Sequence, residues 1–265
     1  MEAVTYQGWP AELADPSGRR AAKPRLKGKT MIIDKGIGLY RFEDLLVTAA
    51  EHIDMIKLGF GTSALYPPPV LRKKIELARA FDVDIYPGGT FLEVALAKGS
   101  LDSFFSMVRN LGFNAVEISD GTIDIDRKTR NELLERASQH ELKAYTEYGK
   151  KSRGFEISLD DLVETVEEDL SLGAELVTIE GRESGEGVGI FNETGECRDD
   201  YIEQVVQRLP FVDMLLWEAP QTSQQVHLLK KLGSDINLGN IAPDEVLSLE
   251  ALRRGLRSDT LEPGV

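Results

Sequence analysis

The sequence predicts an α/β protein, a single (β/α)8 TIM barrel with an N-terminal arm. Eight short apolar runs rich in strand-forming residues alternate with longer stretches of helical periodicity. Gly112, Gly173 and Gly233 each follow a predicted helix, as C-cap glycines do. The eight units span about 230 residues, close to the usual length of this barrel. A doubly wound sheet with fewer strands is the alternative fold.

The predicted elements alternate along the whole repeat. The strands occupy 30–33, 55–58, 83–86, 115–118, 143–146, 176–179, 214–217 and 236–238. The helices occupy 42–52, 69–81, 101–111, 127–140, 159–172, 199–209, 223–232 and 244–256. Pro69 suits a first helical turn, and Ser100 and Ser158 are good N-cap residues. Because no Pro/Ser-rich linker interrupts the repeat, residues 30–265 are predicted to form one catalytic domain, preceded by an arm at 1–29.

Composition limits the function classes. The 265 residues carry a net charge of −14, which argues against a nucleic-acid-binding surface and against anionic membranes. No apolar run approaches the roughly 18 residues of a membrane span, and the N-terminus lacks the pattern of a secretory signal. Cys197 is the only cysteine, which suits a reducing compartment. We expect a cytoplasmic protein.

Charged side chains interrupt or directly follow the apolar runs at Lys57, Glu117, Glu180 and Glu218. In this fold the residues after each strand form the active-site mouth. Burying such charges is costly unless they are paired or bind a metal. Carboxylates are ligands for Mg²⁺, whereas the histidines all fall on predicted helices, which argues against zinc. The alternative is a ring of salt bridges that only stabilises the barrel.

Glycine clusters also follow several strands. Gly59-x-Gly61, Gly88-Gly89-Thr90 and Gly181-x-x-x-Gly185 can expose backbone N–H groups that bind phosphate, sulfonate or carboxylate oxygens. The alternative is that they only make tight turns. Together with the lysines, they favour a small anionic substrate.

These motifs resemble one known family, phosphosulfolactate synthase. The segments that carry the resemblance are 57–64 (KLGFGTSA), 86–90 (YPGGT), 116–121 (VEISDG), 180–185 (EGRESG), 218–221 (EAPQ) with 223–225 (SQQ), and 249–260 (LEALRRGLRSDT). The likeness extends from about residue 33 to residue 260. It implies a carbon–sulfur lyase that uses Mg²⁺ to add sulfite to phosphoenolpyruvate, giving 2-phospho-3-sulfolactate for coenzyme M or sulfolactate biosynthesis. It also implies a homo-oligomer, a trimer.

For the reaction that the resemblance implies, the positions of the strand-end residues suggest individual roles. Lys150 follows the fifth strand in a glycine-flanked loop, so it is expected to reach the mouth and donate a proton, with a pKa lowered by nearby cations. Lys151 is the second candidate, and Lys57 and Arg182 are expected to bind phosphate or sulfite. The predicted metal ligands are Glu117, Glu147, Glu180 and Glu218, and Glu147 is also counted as catalytic. The remaining predicted substrate-binding residues are Asp34, Lys35, Gly88, Gly89, Ser119, Lys151, Ser184, Asn237 and Asn240.

Two other functions stay open at this point. One is a different Mg²⁺-dependent lyase or aldolase that acts on a phosphorylated enol or keto acid, with Lys57 placed to form a Schiff base. The other is a non-catalytic, stress-associated member of the family. An inactive relative should have lost some strand-end charges, and this chain has kept them.

Overall fold

The computed structural model of the protein describes residues 8–152 and 154–261. Within these residues eight parallel strands form one nearly closed barrel, which confirms the predicted fold. The strands are β1 (Thr30–Asp34), β2 (Met55–Leu58), β3 (Asp84–Pro87), β4 (Ala115–Ile118), β5 (Lys143–Tyr148), β6 (Ala174–Ile179), β7 (Leu215–Glu218) and β8 (Asn237–Ile241). They pair in the order β3-β2-β1-β8-β7-β6-β5-β4.

The helices surround the barrel. They are α1 (Ala11–Ala14), α2 (Leu39–Ala49), α3 (Pro68–Ala80), α4 (Gly89–Ala97), α5 (Leu101–Leu111), α6 (Arg127–Gln139), α7 (Leu159–Ser171), α8 (Asp199–Arg208), α9 (Thr222–Leu232) and α10 (Val246–Arg253). Single turns of 3₁₀ helix occur at Ala50–His52, Thr62–Ala64, Val212–Met214 and Pro243–Glu245. In the part of the chain described, no helix is long and apolar enough to cross a membrane.

Helix α4 was not predicted from the sequence. The pair Gly88-Gly89 indicated a loop, but β3 leads directly into the helix, with Gly88 as the N-cap residue and Gly89 as the first helical residue. The apolar residues that follow provide the buried face of this helix, for example Leu92 and Ala95. The predicted helix at 101–111 also forms, so two helices connect β3 to β4.

The inside of the barrel has an apolar layer below a charged layer. The apolar layer consists of Met31, Met55, Tyr86, Ala115, Tyr145, Leu176 and Leu216. Because alternate residues of a strand point to the same side, the next inward positions on β2, β4, β5 and β7 are Lys57, Glu117, Glu147 and Glu218. All four are buried. The apolar layer closes the barrel beneath them and keeps water away from their charges.

The barrel has one seam, between β3 and β4, where the hydrogen-bonded strand order ends. Side chains bridge it. At the lower end, Asn114 Oδ1 accepts a hydrogen bond from Ile85 N at 2.9 Å, and Asn114 Nδ2 donates to Asp84. At the upper end, Glu117 Oε2 accepts from Gly89 N at 2.6 Å. The seam is therefore joined by side-chain contacts in place of a backbone ladder.

The described part of the N-terminal arm packs against the lower end of the barrel. Arg20 Nε lies 3.0 Å from Glu250 Oε2 on α10, and Arg25 Nε lies 3.3 Å from Asp54 Oδ1 just before β2. Lys23 Nζ donates to the carbonyl oxygen of Ile53 at 2.8 Å. The arm thus covers the end of the barrel that lies opposite the charged layer.

Candidate active site

A cavity of about 150 Å³ opens above the charged layer, at the carboxyl ends of the strands. This is the end at which barrel enzymes place their active sites. Its lining residues are Ile33, Lys57, Phe60, Gly88, Gly89, Thr90, Glu117, Glu147, Lys151, Glu180, Arg182, Glu183, Glu218 and Asn240. The volume suits a small molecule, and the lining combines carboxylates with two lysines and one arginine.

Lys57 lies at the floor of the cavity among three carboxylates. Its Nζ is 2.7 Å from Glu218 Oε1, 3.1 Å from Glu117 Oε1 and 3.7 Å from Glu147 Oε2. Burial alone would lower the pKa of Lys57, but the three surrounding carboxylates raise this pKa well above its ordinary value. Lys57 is therefore a fixed cation that neutralises part of the acidic layer.

Backbone N–H groups hold two of these carboxylates in place. Glu117 Oε2 accepts from Gly89 N, and Glu218 Oε2 accepts from Gly181 N at 3.0 Å. Lys57 Nζ donates to the other oxygen of each carboxylate, so both oxygens of Glu117 and of Glu218 accept a hydrogen bond. Burial raises the pKa of Glu117, and the Lys57 ammonium opposes that change. Both side chains are consequently fixed in orientation.

A group of three acids has the geometry of a cation site. One carboxylate oxygen from each of Glu147, Glu180 and Glu218 lies within 4.8 Å of the others, and all three residues are buried. Glu147 Oε2 and Glu180 Oε2 are buried without a hydrogen-bond partner among the described residues. Buried carboxylate oxygens that accept no hydrogen bond fit a divalent ion such as Mg²⁺. Glu117, the fourth predicted ligand, falls outside this group.

The pKa values of Glu147 and Glu180 are shifted in opposite directions. Burial raises the pKa of Glu147, but Lys151 and Lys57 outweigh burial and lower it to about 2. Burial and the neighbouring Glu147 and Glu218 raise the pKa of Glu180 well above its ordinary value. A cation that enters here therefore competes with a proton on Glu180.

The adjacent lysines after β5 point in different directions. Lys151 lines the cavity, with Nζ 3.0 Å from Glu147 Oε1 and 3.5 Å from Glu180 Oε2. Lys150 faces away from it, and its Nζ contacts Asp120 Oδ2 at 2.8 Å and Asp124 Oδ1 at 3.0 Å. Burial would lower the pKa of both lysines, but these carboxylates raise it in each case. The lowered pKa expected for Lys150 is therefore wrong.

Strained backbone is concentrated at the cavity. Phe60, Arg182 and Asn240 have φ angles of 58°, 60° and 55°, and each residue lines the cavity. Non-glycine residues rarely adopt this left-handed conformation, and such strain clusters at functional sites. Arg182 N donates to Glu180 Oε1 at 2.6 Å, and Asn240 Nδ2 donates to the Arg182 carbonyl oxygen at 3.2 Å. These contacts join the loop after β6 to the end of β8 at the rim of the cavity.

Many of the predicted site residues meet in this cavity, and others lie elsewhere. Those that line it are Lys57, Gly88, Gly89, Glu117, Glu147, Lys151, Glu180, Arg182, Glu218 and Asn240. Lys35 and Ser184 lie in exposed loop positions, with Lys35 Nζ 3.6 Å from Glu183 Oε2. Their proposed substrate contacts remain predictions.

Three other predicted site residues are buried but do not line the cavity, and each contacts other groups of the protein. Asp34 Oδ2 is 2.5 Å from Lys74 Nζ, and Ser119 donates to Glu93 at 2.7 Å. The placement of Asn237 at the mouth is corrected by the structure. Its side chain accepts from Lys29 N and donates to the Asp213 carbonyl oxygen, at the opposite end of the barrel.

Phe60, Thr90 and Ile33 line the cavity but were not predicted as site residues. Phe60 lies between Gly59 and Gly61, and an aromatic residue within such a glycine turn was the available signal. Thr90 follows the Gly88-Gly89 pair that was predicted to bind anions. Ile33 carries no such signal, because an inward-facing isoleucine is typical of any barrel strand.

The sequence matches the family described as (2R)-phospho-3-sulfolactate synthase (ComA) over residues 18–259. The match therefore includes part of the predicted arm. A phosphosulfolactate synthase of Methanothermobacter thermautotrophicus is 43% identical over 244 residues, 91% of this chain and 94% of that protein. One of Methanocaldococcus jannaschii is 42% identical, with coverage of 88% and 94%. One of Bacillus subtilis is 33% identical, with coverage of 91% and 95%.

Solved structures with the same fold are much more distant in sequence. A 3-hexulose-6-phosphate synthase superposes with a TM-score of 0.54 at 14% identity, covering 85% of this chain and 98% of that one. The carboxyl transferase domain of Rhizobium etli pyruvate carboxylase, with pyruvate and biocytin, superposes with a TM-score of 0.57 at 9% identity, covering 84% and 41%. At such low identity the likeness supports the barrel fold alone.

Proposed function

We propose, on the premise that the chain belongs to the (2R)-phospho-3-sulfolactate synthase family, that it adds sulfite to phosphoenolpyruvate in a Mg²⁺-dependent reaction. The product would be 2-phospho-3-sulfolactate, and the enzyme class a carbon–sulfur lyase. The observation that carries the proposal is the cavity in which Glu147, Glu180 and Glu218 converge beside the Lys151 ammonium.

The three convergent carboxylates would hold the Mg²⁺ ion. Bound there, the ion would supply Lewis-acid stabilisation for negative charge that develops on the substrate carboxylate. Lys57 touches Glu218 and lies near Glu147, so its role in this proposal is to fix the ligand carboxylates and balance their charge. Since its Nζ is enclosed by acids, Lys57 is less suited to the direct phosphate or sulfite contact that the sequence predicted.

Anion binding is assigned to groups at the rim and on the wall of the cavity. The guanidinium of Arg182 is a bidentate donor for phosphate or sulfite oxygens. Helix α4 begins at Gly89, and its N-terminal end faces the cavity, where the helix dipole favours negative charge. These groups would bind the phosphoryl group and the sulfite in the same cavity as the carboxylate cluster.

The proposed reaction has two bond-forming events. The sulfur lone pair of sulfite attacks C3 of phosphoenolpyruvate, a C–S bond forms, and the electrons of the C2=C3 bond move toward C2 and the carboxylate. C2 then takes a proton from the Lys151 ammonium, which regains one from bisulfite or water. Lys151 is chosen over Lys150 because its Nζ lines the cavity and is kept protonated by neighbouring carboxylates, which raise its pKa.

The alternative of a Schiff-base aldolase has less support. A Schiff base needs a neutral amine, and three carboxylates raise the pKa of Lys57 well above its ordinary value. A non-catalytic role has no specific observation in its favour, because the buried charges converge on one cavity.

The direct test is turnover. Purified protein, phosphoenolpyruvate, sulfite and Mg²⁺ are incubated, and a new phosphate ester is followed by ³¹P NMR. We expect product with Mg²⁺, none after chelation, and recovery when Mg²⁺ is added back. Folded wild-type protein that leaves phosphoenolpyruvate unchanged under these conditions would refute the assignment. Trapping of a keto acid by borohydride would instead favour the aldolase alternative.

We also propose that the protein acts in the cytoplasm as a homo-oligomer, a trimer. The single cysteine suits a reducing compartment, and the assembly is what the resemblance to the family implies. Light scattering coupled to gel filtration tests the assembly, with an expected mass three times that of one chain. A monomeric mass at working concentration would contradict it.

A further inference from the structure

Glu93 is a buried acid outside the cavity and has no part in the proposed reaction. It lies on α4, only 2% exposed, and accepts three hydrogen bonds from the loop that follows β4. Ser119 Oγ donates to Glu93 Oε1 at 2.7 Å. Thr122 N and Ile123 N donate to Oε2 at 2.8 and 2.9 Å. One side chain thus fixes residues 119–123, which we call the β4 loop.

The β4 loop supports Lys151. Lys151 N donates to the Gly121 carbonyl oxygen at 2.9 Å. The lysine stem runs along Gly121, because a Cβ at that glycine would lie 3.1 Å from both Cγ and Nζ of Lys151. A shift of the β4 loop would therefore move the Lys151 ammonium relative to Glu147 and Glu180.

The same loop holds Lys150 in the opposite direction. Lys150 Nζ donates to the Asp120 carbonyl oxygen at 2.7 Å and to the Ile123 carbonyl oxygen at 3.3 Å. The loop therefore makes direct contact with both lysines, one facing the cavity and one facing away from it.

We infer that Glu93 is a positioning residue, which holds the β4 loop so that Lys151 and not Lys150 presents its ammonium to the cavity. The catalytic importance of Lys151 in this inference rests on the proposed function. The position of the Lys151 side chain does not rest on it. The three hydrogen bonds that the buried Glu93 carboxylate accepts are hard to replace, because removing it leaves two backbone N–H groups unpaired. A loop without them would relax toward solvent.

The first test is a set of single and double substitutions read by steady-state kinetics. Glu93→Ala should lower kcat by about 10- to 100-fold, as expected for a misplaced catalytic group, with the KM for phosphoenolpyruvate changed little. Glu93→Gln, which keeps an acceptor oxygen, should recover most of that loss. Val94→Ala is the matched control, since this residue of α4 is half-exposed.

The double substitutions separate positioning from general damage to the fold. In a Lys151→Ala background, adding Glu93→Ala should lower kcat by less than about a further twofold. In a Lys150→Ala background, it should lower kcat as much as it does in the wild-type protein. Equal losses in both backgrounds would overturn the inference.

A second measurement does not depend on turnover. Lysines are labelled at low conversion with formaldehyde and borohydride, and the ratio of Lys151 to Lys150 modification is read by mass spectrometry. In wild type the Lys151 ammonium is held against Glu147 and Glu180 in the cavity, so Glu93→Ala, which lets the β4 loop relax, should raise this ratio at least about threefold. An unchanged ratio in folded Glu93→Ala protein would overturn the inference, whether or not the protein turns over sulfite and phosphoenolpyruvate.

Discussion

At the scale of single residues, the site consists of charges that hold one another in place. Lys57 contacts Glu117 and Glu218 at hydrogen-bond distance, and Lys151 does the same with Glu147. Lys57 and the three glutamates are buried, so removing one of these charges unbalances partners that lie out of water. Substitutions here should therefore change both activity and stability, and conservative replacements are the informative ones.

The two lysines after β5 give the sharpest test of the assigned roles. Lys151→Ala should lower kcat by about 10²- to 10⁴-fold, because it removes the proposed proton donor. Lys150→Ala should stay within about threefold of wild type, since it removes a partly exposed cation that contacts the β4 loop and does not line the cavity. Steady-state rates from the ³¹P assay decide between them. The reverse order of effects would return the donor role to Lys150.

Replacement of a proposed metal ligand should act on Mg²⁺ affinity. Glu180→Gln removes the charge of one convergent carboxylate and should weaken Mg²⁺ binding at least about tenfold. Calorimetric titration measures this, with Glu186→Gln, an exposed acid of the same loop, as the control. Because burial and acidic neighbours raise the pKa of Glu180, a proton competes for this ligand, and wild-type affinity should increase as pH rises. A Mg²⁺ affinity that changes neither with Glu180→Gln nor with pH would contradict the assignment of Glu180 as a metal ligand.

At the scale of elements, short strands end in loops that bring distant residues together. Gly181 follows β6 and Gly88 follows β3, and each approaches the backbone of a neighbouring strand or loop. A Cβ on Gly181 would lie 2.6 Å from the Glu218 carbonyl oxygen, and one on Gly88 would lie 2.8 Å from Phe60 N. The glycines predicted to bind anions thus have a second role, in which they allow adjacent loops to pack closely around the cavity.

Gly181→Ala should accordingly disturb the site through its backbone. The added methyl group clashes with a main-chain oxygen that cannot rotate away, so we expect a loss of about 1–3 kcal/mol in the free energy of unfolding. Activity should fall as well, because Glu218 and Arg182 adjoin the displaced segment. Gly38→Ala, where the Cβ meets open space, is the control for urea unfolding and kinetics. Equal effects of the two substitutions would show that the close approach is unimportant.

The sequence predicted the positions of strands and helices better than the directions in which side chains of the loops point. The strands were found as short apolar runs between stretches of helical periodicity. The charged residues that interrupt or follow those runs, such as Lys57, Glu117 and Glu218, line the cavity. Lys150 and Lys151 could not be told apart, because side-chain alternation ceases once β5 ends. Their directions depend on contacts with the β4 loop, which is about 30 residues away in the chain.

Other errors came from the boundaries of elements. The eighth strand was predicted at 236–238 but extends over Asn237–Ile241. Asn237 therefore begins the strand and lies at the lower end of the barrel. Helix α4 was missed because it starts at a glycine pair, with Gly88 as the N-cap and Gly89 as the first helical residue, although glycine is tolerated at an N-cap. Both errors arise because tertiary contacts, and not local pattern, determine where an element starts.

At the scale of the whole molecule, the two ends of the barrel serve different purposes. The upper end carries the cavity, and the lower end is covered by the arm and a buried cluster of arginines and acids. Glu250 is central to this cluster, since it contacts Arg20 and Arg254. Although burial raises the pKa of Glu250, Arg20 and the other cations lower it to about 2.

The arm contact should make stability depend on pH. The folded-state pKa of Glu250 lies below the unfolded value, so its contribution is complete above about pH 4.5 and is lost as pH falls toward 2. Glu250→Gln should cost about 2 kcal/mol near neutral pH and less near pH 3. Urea unfolding at both pH values tests this, with exposed Asp244→Asn as the control. If the free energy of unfolding of Glu250→Gln differs from that of wild type by the same amount at both pH values, Glu250 does not make stability depend on pH.

The seam between β3 and β4 has a consequence for how this protein can evolve. Glu117 holds the upper end of the seam through Gly89 and also contacts the lysine at the cavity floor. A mutation that adapts position 117 to a new substrate would at the same time loosen the closure of the barrel. Asn114, at the lower end of the seam, is free of this conflict because it lies away from the cavity. Relatives that evolve a different reaction should therefore keep Glu117 and change residues at the rim of the cavity. Substitutions there can alter activity without weakening the closure of the barrel.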